Sequence, residues 1–70
     1  GLVKGIFIGK DGSMGFEHGK EYQFYTWCER NYLFLKTSDG LWCPYSSMEK
    51  LLDNWRILND NRTDQRKGGK

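Results

Sequence analysis

His18 is the sole histidine of the chain and directly follows Glu17, so an acid–imidazole pair is the first chemistry to weigh. Proton transfer needs both groups directed at one reacting atom, and residues adjacent in sequence rarely converge in that way. No motif sets a Ser or Cys beside a base as a nucleophile. The expectation is a protein without enzymatic activity, with His18 exposed on a loop. The stretch GKDGSMG (9–15) raises a second possibility, because glycine loops aim backbone N–H groups at anions. A nucleotide loop needs G-x-x-x-x-G-K-[ST] opening a helix. Here Lys10 comes before Asp11 and a strand follows, so the match fails and a flexible loop is expected.

Cys28 and Cys43 lack the close spacing of a zinc or redox motif, and one histidine leaves a tetrahedral metal site short of ligands. Both are expected reduced, as small buried hydrophobes, although a disulfide becomes sterically possible if their strands pair. No metal and no cofactor are expected.

Aromatic side chains offer more. They make up 16% of the chain, against a low overall hydrophobic content of 37%. Each large ring buries roughly 150–250 Å², so a few of them replace many aliphatic residues in a core. Strand alternation prevents Tyr22, Phe24, Tyr32, Phe34 and Trp42 from all facing one way together with Tyr25 and Trp27. Ile6, Ile8, Tyr22, Phe24, Leu33, Leu35 and Leu52 are the expected core. Tyr25, Trp27, Tyr32, Phe34, Trp42 and Tyr45 hold whatever remains exposed, and three or more exposed together would form a binding patch. Trp42, Tyr45, Tyr25 and Trp27 are the candidate partner-binding residues, since Trp and Tyr are common interface anchors.

Charge divides the chain. Up to Leu58, the seven positive residues Lys4, Lys10, Lys20, Arg30, Lys36, Lys50 and Arg56 balance seven negative ones. The net charge of +2 comes from residues 59–70, where Arg62, Arg66, Lys67 and Lys70 outnumber Asp60 and Asp64. That stretch has no apolar residue and is expected to be a disordered, basic tail. Its four cations are the candidate contacts in an alternative, nucleic-acid-binding reading, which the neutral body disfavours. No apolar run approaches the roughly 20 residues of a membrane span, and no signal-peptide pattern is visible. No membrane partner and a cytoplasmic location are expected.

The elements that must position these residues are short. LVKGIFIG (2–9) reads as a strand with Ile6 and Ile8 on one face and Gly5 and Phe7 on the other. KDGSMGFEHGK (10–20) reads as a long loop whose Met14 and Phe16 fold back on the body. EYQFYTWCE (21–29) alternates as a second strand, ERN (29–31) turns the chain, and YLFLKT (32–37) returns it. SDG (38–40) turns again, and LWCPY (41–45) is a strand stopped by Pro44, which donates nothing to a sheet ladder. Ser46 with Glu49 matches a capping box, and Met48, Leu51, Leu52 and Trp55 form one apolar stripe of a helix over 47–54. Trp55-Arg56-Ile57-Leu58 reads as a closing strand.

Five short strands, a long first loop and a helical turn before the last strand predict a mainly β fold. The order is that of a small Src-homology-3-like barrel over residues 1–58, in which closure removes most exposed sheet edge. In barrels of this shape, aromatics between the long loop and the helical turn bind proline-rich segments. Trp42, Pro44 and Tyr45 fall in that region. The acidic loop and the Ala-Leu-Tyr opening of such domains are missing, so generic proline-rich recognition is not expected.

The stretches KGIFIGKDGSMGFEHGKEYQF and DGLWCPYSSMEKLLDNWRIL resemble small proteins encoded by phages and prophages of Gram-positive bacteria. In that group a first strand leads into a Ser/Asp/Gly-rich loop, and a Gly-Lys-x-Tyr segment opens the second strand. Gly19, Lys20, Glu21 and Tyr22 match it here. The similarity spans residues 3 to 58 in large part and rests on structural motifs; the helix is longer than in the group. It implies a Src-homology-3-like barrel of mostly unassigned function. The expected role is a phage-type accessory protein that binds a host protein, inhibiting a host process or defence system.

Overall fold

The computed structural model describes residues 2–59 of the chain. Five antiparallel strands form one curled sheet: β1 (Val3–Phe7), β2 (Glu21–Glu29), β3 (Tyr32–Thr37), β4 (Trp42–Tyr45) and β5 (Trp55–Asn59). A short helix, α1 (Met48–Asn54), stands before β5, and a single 3-10 turn (Ser13–Gly15) lies in the first loop. The strand order is β4-β3-β2-β1-β5, the order expected of a Src-homology-3-like barrel. The sheet curls only to a half-barrel, so β4 and β5 remain as its two edges, contrary to the expected closure. The expected tail lies outside the described residues except for Asn59, which ends β5.

The β2–β3 hairpin has a two-residue loop in which Arg30 (φ 53°) and Asn31 (φ 70°) are both left-handed. This is the twist a type I′ hairpin turn requires. At the β3–β4 turn Gly40 takes φ 102°, and the buried Thr37 stitches the turn together. Its backbone N–H donates to the Leu41 carbonyl at 2.7 Å, and its hydroxyl accepts from the Leu41 N–H at 3.0 Å.

Trp55 sits at the centre of the core. Its ring lies 4.9–5.6 Å from those of Phe24, Phe7, Phe16 and Tyr22, mostly edge to face. Leu35, Tyr45 and Leu51 complete the buried set. Edge-to-face pairs of this kind add about 0.5–1.5 kcal/mol each beyond the area they bury. An aromatic core therefore stands where a small chain has too few aliphatics.

Several expectations are corrected here. In β1 the inward residues are Gly5 and Phe7, while Ile6 is half-buried and Ile8 exposed. Gly5 pairs with Tyr22 and Ile57, and a Cβ there would stand 3.0 Å from the Phe24 ring. The missing side chain is the space that Phe24 fills. In the first loop Phe16 is buried as expected, but Met14 is exposed. The helix cap is Ser47, not Ser46: Ser47 is extended and its hydroxyl accepts from the Lys50 N–H at 3.2 Å. Only Leu51 of the helix is buried, at 2% exposure, whereas Leu52 is 46% exposed and Met48 is also exposed. Seven residues are too short for a wide stripe, and Trp55 has already left the helix to open β5. Trp55 is structural and opens the closing strand, both as expected.

Candidate binding surface

Strand alternation in β2 and β3 carries one set of side chains to the core and the other to the outer face of the sheet. Tyr22, Phe24 and Leu35 point inward and are buried. The register sets Trp27 beside Phe34, Tyr25 beside Lys36, and Glu29 beside Tyr32, all on the outer face. In β4, Trp42 pairs with Lys36 and Pro44 with Phe34, so both share that face.

The outer rings touch in series. Tyr25 lies 5.6 Å from Trp27, Trp27 stacks on Phe34 at 5.2 Å with 16° between planes, and Phe34 lies 6.2 Å from Trp42. Tyr32 extends the line at 6.4 Å from Phe34. Trp42 is 51% exposed, Tyr32 50% and Tyr25 44%, with Trp27 and Phe34 half-buried between them. Trp27, Phe34, Lys36 and Trp42 line a shallow hollow of about 270 Å³. The Trp27 indole N–H donates to Glu29 at 3.3 Å, which holds that carboxylate over the strip.

Three of the four predicted contact residues, Trp42, Tyr25 and Trp27, therefore meet on one surface. Tyr45 does not. It is 7% exposed, on the inner face, and its hydroxyl accepts from the Trp55 indole N–H at 3.0 Å and from Asn54 at 3.5 Å. Residues three apart in a strand face opposite ways, so Trp42 and Tyr45 were never on one face. Burial pushes the Tyr45 hydroxyl above its ordinary pKa near 10, and its hydrogen bonds from Asn54 and Trp55 offset part of that rise. Burial likewise raises the Cys43 thiol. Lys36 was missed in the sequence, although its parity with Tyr32 and Phe34 in β3 places it on this face.

A second depression, about 490 Å³, opens at the tip of the β2–β3 hairpin. Cys28, Arg30, Tyr32, Ser46, Ser47 and Met48 are among its walls. Tyr32 belongs to both features and joins them.

The other candidate chemistry resolves into structure. The His18 ring donates from Nδ1 to the Gly9 carbonyl at 2.8 Å, because a carbonyl only accepts; its backbone N–H donates to Asp11 at 2.9 Å. Both bonds pin the first loop, as does the Glu17 N–H donating to the Tyr22 hydroxyl at 3.0 Å. Cys28 and Cys43 are free thiols on β2 and β4, two strands that flank β3 and do not pair. Two strand spacings separate them by roughly 10 Å, beyond the reach of a disulfide. Among the described residues no three His, Cys, Asp or Glu side chains gather as a metal site. No helix among them is long and apolar enough to cross a membrane. Arg62, Arg66, Lys67 and Lys70, the alternative nucleic-acid contacts, lie outside the described residues.

Comparison of the chain with protein-family models, with curated proteins and with solved structures found no match.

Proposed function

We propose that this chain is a non-enzymatic binding module, a phage-type accessory protein that contacts a host protein and thereby inhibits a host process or defence system. It would act in the host cytoplasm. The observation that carries the binding role is the continuous outer strip Tyr25–Trp27–Phe34–Trp42, extended by Tyr32. Cross-strand stacking accounts for the half-buried Trp27 and Phe34, but not for the exposed rings of Tyr25, Tyr32 and Trp42, and contiguous apolar patches mark interaction sites. The engagement of His18 in loop structure supports a role without catalysis. The phage assignment rests on the sequence resemblance alone.

The test is capture of partners from a Gram-positive host lysate with the intact chain, Trp42→Ala and Leu52→Ala. Loss of one captured protein with Trp42→Ala, but not with the Leu52→Ala surface control, supports the reading. A salt-titrated assay with single- and double-stranded nucleic acid runs alongside. Submicromolar nucleic-acid binding that weakens steeply with salt would replace a protein partner with a phosphate backbone.

A further inference from the structure

Two cations border the aromatic strip. Lys36 lines the hollow with Trp27, Phe34 and Trp42, and Arg30 lines the hairpin-tip depression that shares Tyr32. Both are exposed. Among the described residues the ion pairs are Lys4 with Glu21 and Lys20 with Glu17, so neither Lys36 nor Arg30 has a carboxylate partner. The one anion of the strip, Glu29, accepts from the Trp27 indole N–H and keeps its charge. With Lys36 in the strip and Arg30 at the hairpin tip beyond it, this end of an otherwise neutral body carries two cations against one anion. Arg30 also occupies a left-handed position where Asn, Asp or Gly is the stable choice, which shows that the turn itself does not call for arginine.

We infer that the strip binds an acidic, extended polypeptide segment whose apolar or aromatic side chains lie on the rings and whose carboxylates meet Lys36 and Arg30. This deepens the binding role and rests on it. Four residues separate Tyr32 from Lys36 along β3, roughly 14 Å, and Arg30 stands beyond Tyr32 at the hairpin tip. The two charges are therefore on the order of 15–20 Å apart. An extended segment advances about 3.4 Å per residue with alternating side chains, so carboxylates four or six residues apart reach both cations from one side. Nucleic acid is the less favoured occupant, because two cations on a neutral body make a poor track for a phosphate backbone.

The probe is a random copolymer of glutamate and tyrosine, titrated against the intact chain while tryptophan fluorescence is recorded. Polyglutamate and oligothymidylate are the comparison ligands. Polyglutamate measures the attraction that the basic residues of 59–70 exert on any polyanion. The expected result is a saturable change with the copolymer, weakened about tenfold by Lys36→Glu, clearly weakened by Arg30→Asn, and reduced by salt. Arg30→Asn suits the turn, so its loss of binding is not a loss of folding. Equal binding of polyglutamate and copolymer, or copolymer binding unchanged by Lys36→Glu, overturns the proposal. Tighter binding of oligothymidylate overturns it in favour of nucleic acid. Absence of copolymer binding together with Trp42-dependent lysate capture overturns the acidic segment alone. Trp42-independent capture overturns the role of the strip.

Discussion

The indole N–H of Trp55 donates to the hydroxyl of Tyr45 at 3.0 Å, and this bond ties together the two edge strands of the half-barrel. It spans the side on which sheet hydrogen bonding stops. Both groups are buried, and the hydroxyl, which also accepts from Asn54, is the indole's acceptor. Tyr45→Phe keeps the ring but leaves the indole N–H without its acceptor. That change is expected to cost about 1–3 kcal/mol, the usual penalty for an unsatisfied buried donor. Urea unfolding of the two chains checks it, with partner capture unchanged.

The same hydroxyl makes stability pH-dependent. Its folded pKa is raised above the ordinary 10 by burial, so the folded state holds this proton more tightly than the unfolded state. The contribution is fully present below pH 10 and is lost as pH rises through the folded value. Melting temperature measured from pH 8 to pH 12 should fall more steeply in the intact chain than in Tyr45→Phe. Equal slopes would show that Tyr45 does not titrate from a buried site.

Leu51 and Leu52 are neighbours with opposite surroundings. Leu51→Ala empties a fully packed site and is expected to cost about 2–5 kcal/mol. Leu52→Ala removes an exposed side chain and should stay within about 1 kcal/mol. Denaturant midpoints separate the two readily, since 2 kcal/mol is a large share of the stability of so small a domain.

The β2–β3 turn holds one residue that tolerates it poorly, Arg30, beside one that suits it, Asn31. An arginine in the left-handed region costs roughly 1–2 kcal/mol that Asn or Gly largely avoids. The double change Arg30→Asn, Asn31→Gly is expected to raise stability by about 1 kcal/mol. Calorimetry gives the sign. Removing Arg30 should also weaken the acidic copolymer, so stability and binding should move in opposite directions.

What the sequence revealed depended on how regular each element is. β2 and β3 alternate cleanly, so their bounds and their two faces were legible, and with them Tyr25 and Trp27. In β1 the two isoleucines outweighed Gly5 and Phe7 in any count of apolar residues. The decisive fact is the Phe24 ring lying across Gly5, a contact between strands that no local pattern contains. The helix was legible as an element, but its depth of docking was not. Apolar spacing says which residues share a side, and the neighbouring strands decide how much of that side is covered. Tyr45 was misplaced by reading it as a neighbour of Trp42 when alternation separates them. Only strand parity places Lys36 on the outer face, and a lone lysine in a strand carries no local signal that aromatic rings surround it.

β1 pairs along its length with β5, so the first strand of the sheet waits for the last. Folding must close a loop of some fifty residues before that pairing forms, a non-local step of the kind that slows β proteins. The β2–β3 and β3–β4 hairpins need no such wait. During synthesis they emerge with Phe24 and Leu35 uncovered, because Trp55, the ring that seals them, is still to be made. A chain arrested before residue 55 would carry its binding strip on one side and a bare core on the other. Such a fragment should be held by chaperones or aggregate, rather than act as a smaller working version of the protein.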